Sequence, residues 1–161
     1  IKVKTGTDGN DRLTAVERLQ FTDRMVALDM DGASHGGQAA QIIRALFGSA
    51  VLTNKDFVGI GLSLFDAGMD YSEVVALALG TEVFAQMAGG RSHKDFVNHV
   101  YRNVIGSKPS DDELALFVGQ LDAGVYTQDS LALVACQIGF NTASAELVGL
   151  ANTGIEFLPA A

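Results

Sequence analysis

The spacing of apolar positions changes character once along the chain. Near the N-terminus, Val16-Glu17-Arg18-Leu19-Gln20-Phe21 and Met25-Val26-Ala27-Leu28 flank the polar Thr22-Asp23-Arg24, a pattern that predicts two short strands and a hairpin. A lone hairpin is marginal in water, so this one is expected to lean on helices or to extend an upstream sheet. From residue 37 onward the spacing becomes helical. Ala40, Ile43, Leu46 and Phe47 recur at three and four and stop at Gly48-Ser49. Asn54 caps a helix through Val58 and Leu62 to Gly68, and Asp70 caps another through Val74, Leu77 and Phe84 to Gly89-Gly90. Ser92 opens a helix whose stripe of Phe96, Val97, Val100, Tyr101, Val104 and Ile105 ends at Gly106. Ser110-Asp111-Asp112-Glu113 is a capping box for a helix closing at Gly124. Gln128 to Phe140 and Thr142 to about Phe157 supply two more, the last broken near Gly154. The expected fold is mainly α, a bundle of about six to seven helices with a short N-terminal β-hairpin. Residues 1–32 form a turn-and-hairpin segment and 33–161 the bundle.

The bundle contains a repeat. Phe65-Asp66-Ala67-Gly68-Met69 aligns with Leu121-Asp122-Ala123-Gly124-Val125, and upstream Leu46-Phe47-Gly48-Ser49 aligns with Val104-Ile105-Gly106-Ser107, the link in the first copy being two residues longer. The two units cover about 37–90 and 92–141, followed by a C-terminal helix over 142–158. Neither three-helix unit can bury its apolar face alone, so the two are expected to pack together.

Composition narrows the function classes. With 48% apolar and 19% charged residues, 161 residues afford a core of one domain. No apolar run approaches the roughly 18 residues of a membrane-spanning helix. The net charge of −8 argues against binding a nucleic-acid backbone. Seven of those charges lie in Pro109 to Ala161, which holds no Lys, Arg or His. That tail reads either as a solvated acidic face or as an uncleaved C-terminal export signal. The single cysteine, Cys136, sits in an apolar run that favours a buried, inert thiol. His93 and His99 are six apart, off the spacing of helical metal ligands. No G-x-S-x-G, H-E-x-x-H or Walker pattern occurs, no catalytic residue is assigned, and the chain is expected not to be an enzyme.

Calcium is the one cofactor the residues suggest. Gly6-Thr7-Asp8-Gly9-Asn10-Asp11-Arg12-Leu13 matches one turn of the calcium-binding nonapeptide repeat except at Thr7, and it also reads as a Gly/Asn/Asp surface turn. Asp29-Met30-Asp31-Gly32 starts like an oxygen-ligand loop, but His35 and Gly36-Gly37 leave that loop pattern incomplete, so a capped turn into the next helix competes with it. The candidate metal ligands are Asp8, Asp11, Asp29 and Asp31.

Phe96-Val97, Tyr101, Asn103-Val104, Gly106, Pro109 and Leu121-Asp122-Ala123-Gly124 resemble the helical repeats of a bacterial family without an assigned function, which carry F-V-x-x-x-Y-x-N-V-x-G, a Pro-led capping box and x-L-D-x-G. Similar modules occur in large secreted proteins of RTX type, with calcium nonapeptide repeats, in surface-layer-like proteins and in phycobilisome-linker-like chains. The introductory segment from Val16 to Gly32 resembles the join between such repeats and the helices. The first copy departs from the pattern, with Ile43 in place of the Tyr and Leu52-Thr53-Asn54 in place of the Pro-led link. The resemblance implies a non-enzymatic helical module of an exported bacterial protein, extracellular or at the cell surface, with protein partners or self-assembly and no N-terminal signal in this chain. Two other functions stand beside it. One is a C-terminal export and folding module of a type I secretion substrate. The other is a small-ligand carrier or enzyme with an apolar pocket between helices.

Overall fold

The computed structural model describes residues 2–4, 10–12 and 16–160. Strands β1 (Lys2–Lys4) and β2 (Asn10–Arg12) pair antiparallel, Lys2 opposite Arg12. Strands β3 (Arg18–Gln20) and β4 (Met25–Ala27) form the expected hairpin, Leu19 opposite Val26. Nine α-helices follow among the described residues.

The first unit holds α1 (His35–Phe47), a 3-10 turn (Ser49–Thr53), α2 (Lys55–Asp66), α3 (Tyr71–Gly80) and α4 (Glu82–Ala88). The second holds α5 (His93–Ile105), α6 (Asp111–Asp122), α7 (Gln128–Gln137) and the short α8 (Gly139–Thr142). The helices begin where capping side chains sit. Asn54, Asp70, Ser92, Ser110 and Thr127 each accept a hydrogen bond from the backbone N–H three residues on. The repeat is metrical. α1 and α5 both run 13 residues, α2 and α6 both 12, α3 and α7 both 10. α1 and α5 both end on a glycine with φ near +90°, at Gly48 and Gly106, a conformation that penalises any side chain.

Two expected helices are broken, which raises the count. The helix from Asp70 to Gly89 divides at Thr81, whose extended backbone and hydroxyl cap the N–H of Phe84 and start α4. The helix from Gln128 to Phe140 divides at Ile138, also extended. The C-terminal helix expected over 142–158 is a larger correction. Its helical part is α9 (Ala145–Thr153), and after Gly154 the chain becomes strand β5 (Ile155–Phe157). β5 pairs antiparallel with β4, Met25 opposite Phe157 and Ala27 opposite Ile155, giving the sheet order β3-β4-β5. The hairpin is therefore built into the bundle, with Ala27 fully buried in the common core.

The core is arranged around α1, of which eleven residues are buried, whereas α5 buries only Phe96, Val97, Val100 and Val104. The strand β5 lies against α2 because Gly59 leaves room for its backbone. The N–H of Leu158 donates to the carbonyl of Lys55 at 3.0 Å, and a Cβ at Gly59 would overlap the Leu158 carbonyl oxygen. Gly59→Ala is expected to destabilise the domain by about 2 kcal/mol. At Gly61 a Cβ meets only Ala39 and Ile43 at 3.6 Å, an ordinary contact. Gly61→Ala is therefore expected to be neutral or mildly stabilising, by at most about 1 kcal/mol of helix propensity. Paired denaturation curves of the two variants check this contrast.

Candidate functional site

The residues of the second unit's sequence phrase are best understood one at a time, since each has a definite partner. Phe96 and Leu121 are core side chains. Asn103 donates from Nδ2 to the Ala45 carbonyl at 3.1 Å, and His99 lies 2.7 Å from the Leu46 carbonyl through Nε2. A carbonyl only accepts, so Nε2 carries the proton. Together they cap the C-terminal end of α1, whose last carbonyls have no helical partner. Burial lowers the pKa of His99, against a smaller rise from its bond to Leu46.

Tyr101 reaches across to α6, its hydroxyl donating to Glu113 Oε1 at 2.7 Å. The other oxygen of Glu113 accepts from the Ser110 hydroxyl at 2.6 Å and the Ser110 N–H at 2.8 Å. The Ser110 hydroxyl, then the Tyr101 hydroxyl, then the Ser110 N–H hold the Glu113 pKa down to about 2. The carboxylate thus closes the capping box and ties α6 to α5. Because the folded pKa lies below the ordinary value near 4.5, this contribution is present above that value and is lost as pH falls from about 4.5 through about 2. Tyr101→Phe is expected to lower the melting temperature at neutral pH and to make its fall between about pH 4.5 and about 2 shallower, the two proteins converging at the acid end.

Asp122, from the Asp-Ala-Gly stop, accepts from His93 Nδ1 at 2.7 Å, and Asp66 in the first unit accepts from His35 Nδ1 at 2.8 Å. Each unit is clasped by the first residue of its leading helix and the last of its second. Spacing of histidines along α5 gives no hint of this. The register between the two copies does, because His35 and His93 open equivalent helices and Asp66 and Asp122 close equivalent ones.

The two units differ in the side chains at the contact between their first two helices. In the first, Gly61 lets α2 lie directly on Ala39 and Ile43 of α1. In the aligned positions of the second stand Tyr101 and Phe117, whose ring centroids sit 6.3 Å apart between α5 and α6. The links differ too. Leu52 is buried beneath the first, whereas Ser107 and Lys108 in the second are exposed. The result is an apolar groove of about 130 Å³ with Val97, Val100 and Val104 of α5 along it, Phe117 on one side, and Leu131 and Val134 of α7 on the other. Ile138 also lines it. Val134, in its lining, is 50% exposed, and elsewhere in the same unit Leu116 is 56% and Phe140 67% exposed. The groove is the candidate site, and it is shaped for apolar contact.

The expected metal ligands fall elsewhere. Asp8 lies outside the described residues, and of Asp11 only the backbone is described, in β2 opposite Val3. The Asp29 carboxylate accepts from Arg18 Nη1 and, at 3.0 Å, from the N–H of Gly36. Asp31 accepts from the N–H groups of Ala33 and Ser34, at 3.0 and 3.1 Å, and from the Ser34 hydroxyl, bonds that lower its pKa. Asp29 and Asp31 therefore shape the turn into α1, and a cation at Asp29 would compete with Arg18. Among the described residues no group of three or more His, Cys, Asp or Glu side chains is placed to hold a metal ion. Cys136 is fully buried, and burial pushes its thiol up to about 12, as its apolar sequence context suggests. No helix among the described residues is long and apolar enough to cross a membrane.

Residues 76–146 match the family described as Domain of unknown function (DUF4214). The matched stretch contains the whole second unit and the end of the first. It therefore includes every residue lining the groove, while α1 and α2, which depart from the repeat's Tyr and Pro positions, lie outside it. No curated protein and no solved structure matches the chain.

Proposed function

We propose that this chain is a non-enzymatic helical module of an exported bacterial protein, working in surface attachment or assembly outside the cell. The observation that carries the proposal is the apolar groove of the second unit, together with the exposed apolar side chains Leu116, Val134 and Phe140 of that unit. The polar residues of the repeated phrase hold helices together, through Tyr101 to Glu113, Asn103 to Ala45 and His93 to Asp122. The groove itself is lined by apolar side chains apart from the Tyr101 hydroxyl, the kind of surface through which proteins contact one another. The resemblance of the Val16 to Gly32 segment and the helical phrase to RTX-type and surface-layer-like proteins supports an exported setting. Within this reading calcium belongs to Asp8 and Asp11, because Asp29 and Asp31 already have hydrogen-bond donors.

Co-sedimentation of the purified chain with bacterial cell envelopes, with and without millimolar calcium, tests this. Binding is expected, weakened by Leu116→Asp on the exposed face of α6. A chain that neither binds envelopes nor associates with itself would remove the reading.

A further inference from the structure

We infer that the groove of the second unit is a binding site for one unbranched alkyl chain, that of a free single-chain amphiphile such as a fatty acid or fatty alcohol. The inference goes beyond the attachment reading and does not depend on it.

Length is the first reason. The lining runs from Phe96 to Ile105 on α5 and from Leu131 to Ile138 on α7. At a helical rise of 1.5 Å per residue, each wall extends about 10 Å or more. A guest that fills a space of that outline is long and thin.

Depth is the second. Val97, Val100 and Val104 line the groove yet are only 4%, 5% and 6% exposed, whereas Val134 and Ile138 are 50% and 40% exposed. The valines are therefore a floor and the α7 residues a lip. A flat protein face resting on the lip does not reach that floor, and a slender chain does.

Chemistry is the third. The one polar group among the lining side chains is the Tyr101 hydroxyl, and it already donates to Glu113 at 2.7 Å. No lining side chain carries a charge. A polar group placed inside would lose its hydration and find no partner, so a head group stays in water while the alkyl part enters. The volume is about 130 Å³. An apolar cavity of roughly 150 Å³ takes up benzene, so the space suits a guest of about six carbons. The bond from Tyr101 to Glu113 fixes one wall before the guest arrives, which leaves less ordering to be done on binding.

Titration of the full chain with n-butanol, n-hexanol, n-octanol and cyclohexanol, read from the methyl resonances of Val97, Val100 and Val104, tests the inference. Those resonances are expected to move, the dissociation constant falling about fourfold per added methylene from butanol to hexanol. The gain is expected to taper from hexanol to octanol as the chain outgrows the space, with cyclohexanol binding more weakly than hexanol. Ala135→Phe sets a ring into the groove and is expected to abolish the shifts. Val134→Asp, at the exposed lip, is expected to weaken octanol binding by about tenfold or more. An unchanged circular dichroism melt verifies that this second variant is folded. Resonances that stay in place up to the solubility limit of octanol, or affinity independent of chain length, would overturn the inference. So would cyclohexanol binding as tightly as hexanol, or a Val134→Asp variant that binds octanol as the wild type does. Phosphatidylcholine vesicles form the second arm, and the chain is expected not to sediment with them. Vesicle binding that Ala135→Phe abolishes would overturn the free amphiphile as the source of the chain. A protein that binds cell envelopes while its groove ignores every alcohol overturns this inference and leaves the attachment reading standing. Alcohol binding without envelope binding or self-association does the reverse.

Discussion

Removing Gly154 to Ala161 is expected to abolish cooperative unfolding of the entire domain. The segment looks dispensable in sequence, being short and containing Leu158-Pro159-Ala160-Ala161. In the fold it supplies the third strand of the sheet and two core side chains, Ile155 and Phe157, at 2% and 6% exposure. Deleting a buried Ile or Phe side chain costs about 2–5 kcal/mol each. Glu156 adds ion pairs to Lys55 at 2.8 Å and Arg24 at 2.9 Å, exposed and therefore minor. The combined loss approaches the roughly 5–15 kcal/mol that holds a domain of this size together. Urea titration followed by circular dichroism checks it, and a truncated chain with an unshifted midpoint would contradict the packing described. The result bears on the export-module reading as well. A secretion defect after C-terminal truncation would report misfolding, so the acidic tail is better probed by substitutions at exposed positions such as Asp129.

Asn141→Ala is the substitution expected to do most harm at a single polar site. Its side chain satisfies Arg44, itself only 8% exposed, and caps two carbonyls belonging to α1 and α7. Glu146 remains as a partner of Arg44, at 3.4 Å and half exposed, and compensates weakly. Leaving three buried groups short of a partner is expected to cost about 3 kcal/mol, or a fall of about 10 °C in melting temperature. Asn141→Asp separates the causes. A carboxylate still accepts from Arg44 but donates to neither carbonyl, so it is expected to recover only part of the loss. Differential scanning calorimetry of the two variants distinguishes full from partial recovery.

These two sites show where reading along the chain stops. Arg44 and Asn141 are unremarkable in their local sequence, and nothing in periodicity or capping pairs them. The same holds for Ile155-Glu156-Phe157, three residues that suit a helix end or a strand equally well. The antiparallel partner Met25 to Ala27 settles it, from the other end of the chain. By contrast, the capping box at Ser110 and the stops at Gly106 and Gly124 are legible because cap and helix lie within four residues of each other. The carboxylates singled out for calcium illustrate a further limit. An acidic pair before a glycine marks a ligand loop and a capped turn alike, and at Asp29 and Asp31 the hydrogen bonds are those of the turn.

The sequence by itself determined the helical class, the two-unit repeat, the positions of most caps and stops, and the inert character of Cys136. These follow from local backbone chemistry and from the burial of apolar stripes, which act over a few residues. Only the tertiary structure decided that the chain's C-terminal segment completes the N-terminal sheet, that His35 and His93 clasp equivalent helices, and that a groove opens in the second unit. The groove is lined by residues of three helices that are far apart in sequence. Gly61 stands against Ile43 in one unit and Phe117 beside Tyr101 in the other, a contrast that exists only once the helices are packed.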